Sequence, residues 1–102
     1  MVLNPECVRD VLIAVESSGL GEYVSPGTLH NSLPQYSESE IEYTCLLLDD
    51  GGFMIVTTVQ LPGLELPGVK SIVRLTYKGH ELIAKIRDPE RWPKVRKAIA
   101  LS

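Results

Sequence analysis

The side chains best suited to bind a soft metal ion or to act as nucleophiles are two cysteines and two histidines: Cys7, His30, Cys45 and His80. Zinc-binding cysteines and histidines recur along a chain at short, fixed spacings, and no two of these four residues lie at such a spacing. The sequence therefore predicts no metal site. His80 has no nucleophile motif beside it, so we interpret it as a structural hydrogen-bonding residue.

Two further patterns that could support chemistry are a glycine-containing stretch and a pair of carboxylates. The stretch 61–68 lacks the glycine spacing of a phosphate-binding loop, and no Gly-Lys-Ser/Thr follows it. Glu38 and Glu42 lie one turn apart on a predicted helix surface, where the high pKa values needed for acid catalysis are not expected. We therefore expect no catalytic residues, no cofactor and no enzymatic activity.

Cysteine usage and hydropathy indicate a reduced, cytoplasmic environment. Cys7 and Cys45 both fall on predicted inward helix faces, so we predict two reduced core residues rather than a disulfide. No apolar run approaches the ~20 residues that a membrane-spanning helix needs. The first ten residues contain no basic region followed by an apolar run, so no secretory signal is indicated. These patterns predict a cytoplasmic protein with no membrane contact.

Charge is distributed unevenly along the chain, although the net charge is only −3. Residues 10–69 contain nine acidic residues and no Lys or Arg. Residues 70–102 contain nine basic residues against three acidic ones. This asymmetry has two interpretations: it marks interaction surfaces, or the two halves compensate each other where they pack together.

A helix predicted over residues 37–50 organises the rest of the chain. The spacing of Ser37 and Glu40 matches a capping box, in which each side chain bonds the backbone amide of the other residue. Gly51 and Gly52 follow and supply the left-handed residue that ends many helices. Residues at helical spacing define the inward face: Ile41, Cys45 and Leu48.

The outward side of this helix is apolar and acidic, and its candidate interface residues are Tyr43, Leu46, Leu47 and Asp50. The helix contains none of the Arg, Lys, Asn or Gln residues that read bases in the major groove. Its five carboxylates would repel a polyanion. An apolar patch rimmed by charge instead predicts a contact with a second copy or with another protein.

Turn and cap signals divide the remaining chain into helices and a hairpin. The predicted helices cover residues 4–17, 25–33, 37–50, 76–87 and 89–101, the last beginning at 92 if Pro93 delays it. The predicted strands cover 53–60 and 69–75, and two Leu-Pro-Gly turns connect them. Tyr23 and Val24 are candidates for a very short extra strand. This order predicts a single α+β, mostly α domain: a winged helix-turn-helix with a two-stranded wing and additional C-terminal helices.

Basic residues that could contact nucleic acid lie on the wing and on the last helix: Lys70, Arg74, Arg91, Lys94, Arg96 and Lys97. The first two are four residues apart in a strand, a spacing that predicts one shared face. A basic terminal helix is more often a solvated surface than a site for nucleic acid or an acidic partner. Double-stranded DNA is therefore a candidate partner of the basic half of the chain.

The segment LTYKGHEL at 75–82, with IRD at 86–88 and Trp92, resembles the C-terminal pattern of a known family. This is the family of bacterial and phage proteins catalogued as domain of unknown function 2513. The VRDVL sequence at 8–12 and the YSESEIEY sequence at 36–43 also resemble it, so the resemblance extends over nearly the whole chain.

The resemblance implies a winged-helix fold and an association with prophages and mobile elements, but it transfers no catalytic or binding residues. This chain departs from the family pattern at Leu46, where members tend to be polar or basic, and at Pro93. Two functions follow as hypotheses. The first is a DNA-associated regulator or accessory protein of a phage or mobile element. The alternative is a protein-interaction module, as a homodimer or as an acidic inhibitor of a host protein.

Overall fold

Polar caps and prolines set where the helices begin. The structure, a computed structural model, describes residues 3–19 and 22–101. Its elements are α1 (Pro5–Ser17), α2 (Pro26–Ser32), α3 (Glu38–Asp50), β1 (Met54–Val59), β2 (Gly68–Leu75), α4 (Tyr77–Arg87) and α5 (Trp92–Ala100). A side-chain oxygen of Asn4, Ser25, Ser37 or Thr76 accepts a backbone amide at the start of each of the first four helices. Helix α5 begins at Trp92, as Pro93 predicts, because a proline fits the first turn of a helix but not its interior.

The cap of α3 differs in part from the predicted reciprocal arrangement. The Ser37 hydroxyl accepts the amide of Glu40 at 3.1 Å, as expected. The Glu40 carboxylate lies 3.5 Å from the side-chain amide nitrogen of Asn4, which links α3 to the start of α1. The reciprocal capping box forms instead at α2, between Ser25 and Thr28. The Glu40 side chain therefore contacts Asn4 of another segment instead of the backbone amide of Ser37, which the local pattern predicts as its partner.

The fold is α+β and mostly α, at 55% helix, with five helices and one two-stranded antiparallel sheet among the described residues. Helices α1, α2 and α3 pack together, and the hairpin β1–β2 follows them as the wing. The core is formed by buried side chains that include Val8, Val11, Leu12, Ile41, Cys45, Leu48, Met54, Ile83 and Ile86. Helix α5 covers α1 and α4 with partly buried side chains.

Two β-bulges change the face alternation of β2. The register pairs Ile55 with Arg74 and Val56 with Ile72, which leaves Val73 as an extra residue, and Lys70 is the extra residue of a second shift. The buried residues of β2 after Gly68 therefore recur every third position: Val69, Ile72 and Leu75. The predicted shared face of Lys70 and Arg74 assumed a strict two-residue period, and the bulges break that period.

The short extra strand predicted at Tyr23 and Val24 does not form. The segment nevertheless lies beside β2, because the Val24 carbonyl accepts the amide of Ile72 at 2.8 Å. The Tyr23 hydroxyl donates to the Lys70 carbonyl at 3.0 Å. These contacts attach the α1–α2 connection to the wing without extending the sheet.

Helix α4 approaches the start of the hairpin at a glycine. A Cβ atom added to Gly79 would lie 2.0 Å from the backbone oxygen of Phe53. The same oxygen accepts the amide of Thr76 at 3.1 Å, and the Thr76 hydroxyl accepts the amide of Gly79. Glycine at position 79 therefore allows this close approach, and the helix N-terminus is bonded directly to the chain that enters β1.

Candidate functional site

The outward side of α3 and the tip of the wing enclose an apolar cleft. Tyr43 and Leu46 form the helix side of this cleft, and the loop 61–68 forms the other side. The cleft has a volume of about 500 Å³, within the range of ligand-binding pockets. Gly63 has a φ of +78°, a backbone conformation that glycine adopts without strain and that allows the first Leu-Pro-Gly turn.

The loop presents three leucines to solvent next to this cleft. Leu61, Leu64 and Leu66 are 37%, 56% and 57% exposed. Single exposed apolar residues are ordinary, whereas a group of them beside an apolar cleft is typical of interaction sites. We use the name α3–tip surface for these three leucines together with the two helix residues that line the cleft: Tyr43, Leu46, Leu61, Leu64 and Leu66.

Two carboxylates of α3 hold the hairpin in place. The Glu42 carboxylate accepts the backbone amide of Val69 at 3.0 Å, and Asp49 accepts that of Val56 at 3.3 Å. Both amides lie next to the register shifts, where the ladder between the strands is irregular. A carboxylate that accepts a backbone amide makes a charge-assisted hydrogen bond. These roles cannot be predicted from the sequence, because nothing local to α3 indicates which acidic side chains meet the hairpin.

The charged residues that line the cleft in the described part of the chain are both acidic, Glu42 and Glu65. Asp50 is exposed and lies one turn beyond Leu46 on the same helix. No ion pair within residues 3–19 and 22–101 involves a carboxylate of α3. The carboxylates beside the α3–tip surface, Glu42, Glu65 and Asp50, therefore have no ion-pair partner among the described residues.

The four predicted interface residues on α3 do not share one surface. Tyr43 and Leu46 line the cleft at the wing tip. Leu47 instead lines a second apolar cavity of about 320 Å³, together with Phe53 of the chain before β1 and Ile99 of α5. Successive helix residues are rotated by about 100°, so Leu46 and Leu47 face different neighbours once α5 is in place.

The candidate nucleic-acid contacts are also divided. Arg96 pairs with Glu6 of α1 at 2.8 Å, and Arg91 lies 3.4 Å from Asp88. The Arg74 guanidinium donates to the Leu75 carbonyl at 3.2 Å. The three lysines among these candidates are exposed and form no ion pair with a described residue: Lys70 on the wing and Lys94 and Lys97 on α5. The same is true of Lys78 and Lys85 on α4.

Part of the charge asymmetry is compensated inside the molecule. Arg87 of α4 pairs with Glu16 of α1 at 2.5 Å, and Arg96 of α5 pairs with Glu6, which also lies on α1. The second interpretation, internal compensation, therefore applies to α1. The acidic side of α1 is neutralised by the basic C-terminal helices, whereas α3 is not.

Both cysteines are free and fully buried, as predicted. Burial raises the pKa of Cys45 to about 12, so its thiol stays protonated and is a poor nucleophile. Burial raises the pKa of Cys7, and a hydrogen bond from the Thr44 hydroxyl opposes this with a smaller effect. Burial and the 2.6 Å hydrogen bond to Asp10 likewise raise the pKa of Tyr36.

The two histidines make separate structural contacts. His30 Nδ1 lies 2.8 Å from the Tyr36 carbonyl oxygen, and His80 Nδ1 lies 3.9 Å from a Glu16 carboxylate oxygen. Among the described residues, no three His, Cys, Asp or Glu side chains come together as a metal-binding group. No helix in that part of the chain has the length and apolarity to cross a membrane.

Comparisons with known proteins identify one family. No curated protein and no solved structure matches the chain. A family model described as "Hypothetical protein (DUF2513)" matches residues 2–101. The match covers nearly the whole sequence, including the C-terminal segment at 75–92 that suggested the resemblance. The chain therefore belongs to the family defined by domain of unknown function 2513.

Proposed function

We propose that this protein is a protein-binding module, without catalytic activity, that contacts its partner through the α3–tip surface. The observation that carries the proposal is the group of exposed leucines at the wing tip, next to the cleft against α3. Interfaces combine an apolar centre with a polar rim, and this surface has both. Glu42 and Asp49 hold the hairpin on α3, so the surface exists before a partner arrives and binding orders few additional groups.

The electrostatics of α3 argue against a role for this helix in reading DNA. A helix-turn-helix protein places the corresponding helix in the major groove, against phosphates and base edges. Helix α3 instead carries five carboxylates and no Arg, Lys, Asn or Gln. Each carboxylate near a phosphate is repulsive, and counterion release, which drives most DNA binding, needs cations. The winged-helix fold therefore serves protein binding rather than recognition of DNA by α3.

Site-specific photo-crosslinking in cells that naturally contain the protein tests the proposal. A benzophenone amino acid in place of Leu66 should give a discrete adduct, and the same replacement at Tyr77, which is 82% exposed on α4, should not. A second substitution, Leu64→Ser, should remove the adduct while the folded spectrum is retained, because Leu64 is exposed. Equal adducts from both positions, or none from Leu66, would contradict the proposal.

A second candidate function is DNA association through α5, as a regulatory or accessory protein of a phage or mobile element. The observation that favours it is the pair of exposed lysines on α5, Lys94 and Lys97, which have no ion-pair partner among the described residues. Anisotropy of a labelled random-sequence duplex tests this candidate. Binding should weaken with added salt and with Lys94→Glu, but not with the matched change Lys85→Glu on α4. Duplex binding that is insensitive to salt would count against it.

A further inference from the structure

We propose that the partner of the α3–tip surface is a basic amphipathic segment of another polypeptide, with apolar side chains flanked by Lys or Arg. This inference rests on the proposed function, because it names the chemistry of what that surface binds. Its basis is the combination at one place of an apolar cleft, exposed leucines and charged residues of a single sign.

The apolar part of the surface requires apolar anchors from the partner. Tyr43 and Leu46 are only partly exposed and form the base of the cleft, whereas Leu64 and Leu66 stand more than half exposed at its edge. This arrangement can enclose a large side chain, and interfaces concentrate their affinity in such central, desolvated pockets. An amphipathic helix, whose apolar residues repeat every three or four positions, fits a groove of this kind.

The charged part of the surface requires cations from the partner. Glu42 and Glu65 line the cleft, and Asp50 extends the acidic rim along α3. The Glu42 carboxylate bonds a neutral backbone amide, so its negative charge remains. The chain contains no Lys or Arg between residues 10 and 69. Complementary charge across an interface speeds association and excludes partners of the wrong sign.

A second copy of the chain fits the α3–tip surface poorly. In a symmetric dimer the same patch contacts itself, so Glu65 and Asp50 of one copy would face carboxylates of the other. The chain's own basic helix is no better as an occupant. The apolar residues of α5, including Val95 and Ile99, already pack against the core, so a folded copy offers Lys94 and Lys97 without an apolar anchor.

Fluorescence anisotropy with two synthetic peptides tests the inference on the full chain. The probe is a labelled amphipathic helical peptide of leucine and lysine, and its twin carries glutamate in place of every lysine. The lysine peptide should bind at least about tenfold more tightly than its twin, with an affinity that falls as salt is added. Leu66→Ser and Glu65→Lys should each weaken its binding by about tenfold.

Matched changes elsewhere on the surface separate specific binding from general attraction. Leu101→Ser and Glu90→Lys alter exposed residues outside the α3–tip surface and should leave the affinity within about twofold. Circular dichroism of every variant confirms that the fold is retained. If Glu90→Lys weakens binding as much as Glu65→Lys, the attraction is non-specific and the inference is overturned.

The remaining outcomes separate two claims: that the partner is basic, and that the α3–tip surface binds a protein. Equal binding of both peptides that still depends on Leu66 would overturn the basic partner and leave the protein-binding proposal standing. Binding that ignores both Leu66 and Glu65 would overturn both. No binding of either peptide would overturn the inference, with the crosslinking at Leu66 deciding the proposed function separately. A dimer by light scattering that Leu66→Ser dissociates would assign the surface to a second copy instead.

Discussion

Replacing Gly79 by Ala reverses the effect that helix propensity alone predicts. Gly79 lies in the first turn of α4, and alanine is favoured over glycine in helices by up to about 1 kcal/mol. On that basis Gly79→Ala should stabilise the protein. The structure instead places the added methyl group 2.0 Å from the carbonyl oxygen of Phe53. That oxygen belongs to the backbone and cannot rotate away as a flexible side chain could.

The size of the effect follows from these two opposing contributions. Forcing an extra carbon into a well-packed region costs about 1–3 kcal/mol, and a clash with backbone lies at the upper end of that range. Helix propensity offsets about 1 kcal/mol of the cost. We therefore expect a net loss of about 2 kcal/mol in the free energy of unfolding. For a domain of this length, such a loss lowers Tm by roughly 8–16 °C.

Urea and thermal unfolding followed by circular dichroism measure this loss. Gly27→Ala is the matched control: Gly27 also lies in the first turn of a helix, and a Cβ atom there meets side chains, Glu38 at 3.3 Å and Ser25 at 3.7 Å, rather than backbone. Because these side chains can move, no backbone clash offsets helix propensity, and Gly27→Ala should leave stability unchanged or raise it by up to about 1 kcal/mol. A Tm for Gly79→Ala at or above that of the parent protein would refute the steric argument.

Three further predictions concern the hairpin, the core and the α4 cap. Glu42→Ala leaves the Val69 amide without its acceptor and should cost about 1–3 kcal/mol in urea unfolding, whereas Glu42→Gln retains an acceptor and should cost less. Since the pKa of Cys45 is raised in the folded state, its protonated thiol stabilises the protein fully below pH ~9. That stabilisation should be lost as pH rises towards about 12, by about 1.4 kcal/mol per pH unit, and Cys45→Ala should show a shallower decline between pH 8 and 10.5. An equally steep decline in that variant would exclude the thiol as its cause. Thr76→Ala removes the cap of α4 and should cost about 1 kcal/mol, with amide exchange accelerated first at Gly79.

Local sequence predicted the elements and most of the inward faces. A cap followed by proline marks the starts of α1 and α2, and the observed bounds of these helices lie within a residue or two of the predicted ones. The buried face of α3 is Ile41, Cys45 and Leu48, as its periodicity predicted, with Thr44 beside them. These features depend on a few neighbouring residues, because caps bond amides within the first turn and helical periodicity is a property of one segment.

The candidate site was predicted only in part. Tyr43 and Leu46 do lie at an apolar, acidic surface, but Leu47 faces another cavity, and the leucines of the wing tip were not recognised as part of the same patch. Sequence showed the two Leu-Pro-Gly motifs without showing what they would pack against, and only the first forms a turn with a left-handed glycine, because Gly68 of the second begins β2. Which side of α3 the loop meets depends on how the whole hairpin docks on the helix.

The sequence by itself determined the α+β class, the order of helices and wing, the buried reduced cysteines and the absence of cations from residues 10–69. Tertiary structure alone decided the two bulges of β2, the contact between Gly79 and Phe53, and the bonds from Glu42 and Asp49 to the hairpin. The reason is physical. Caps and periodicity act over one or two turns, whereas these contacts join groups distant in sequence and form only when the helices and the wing pack together.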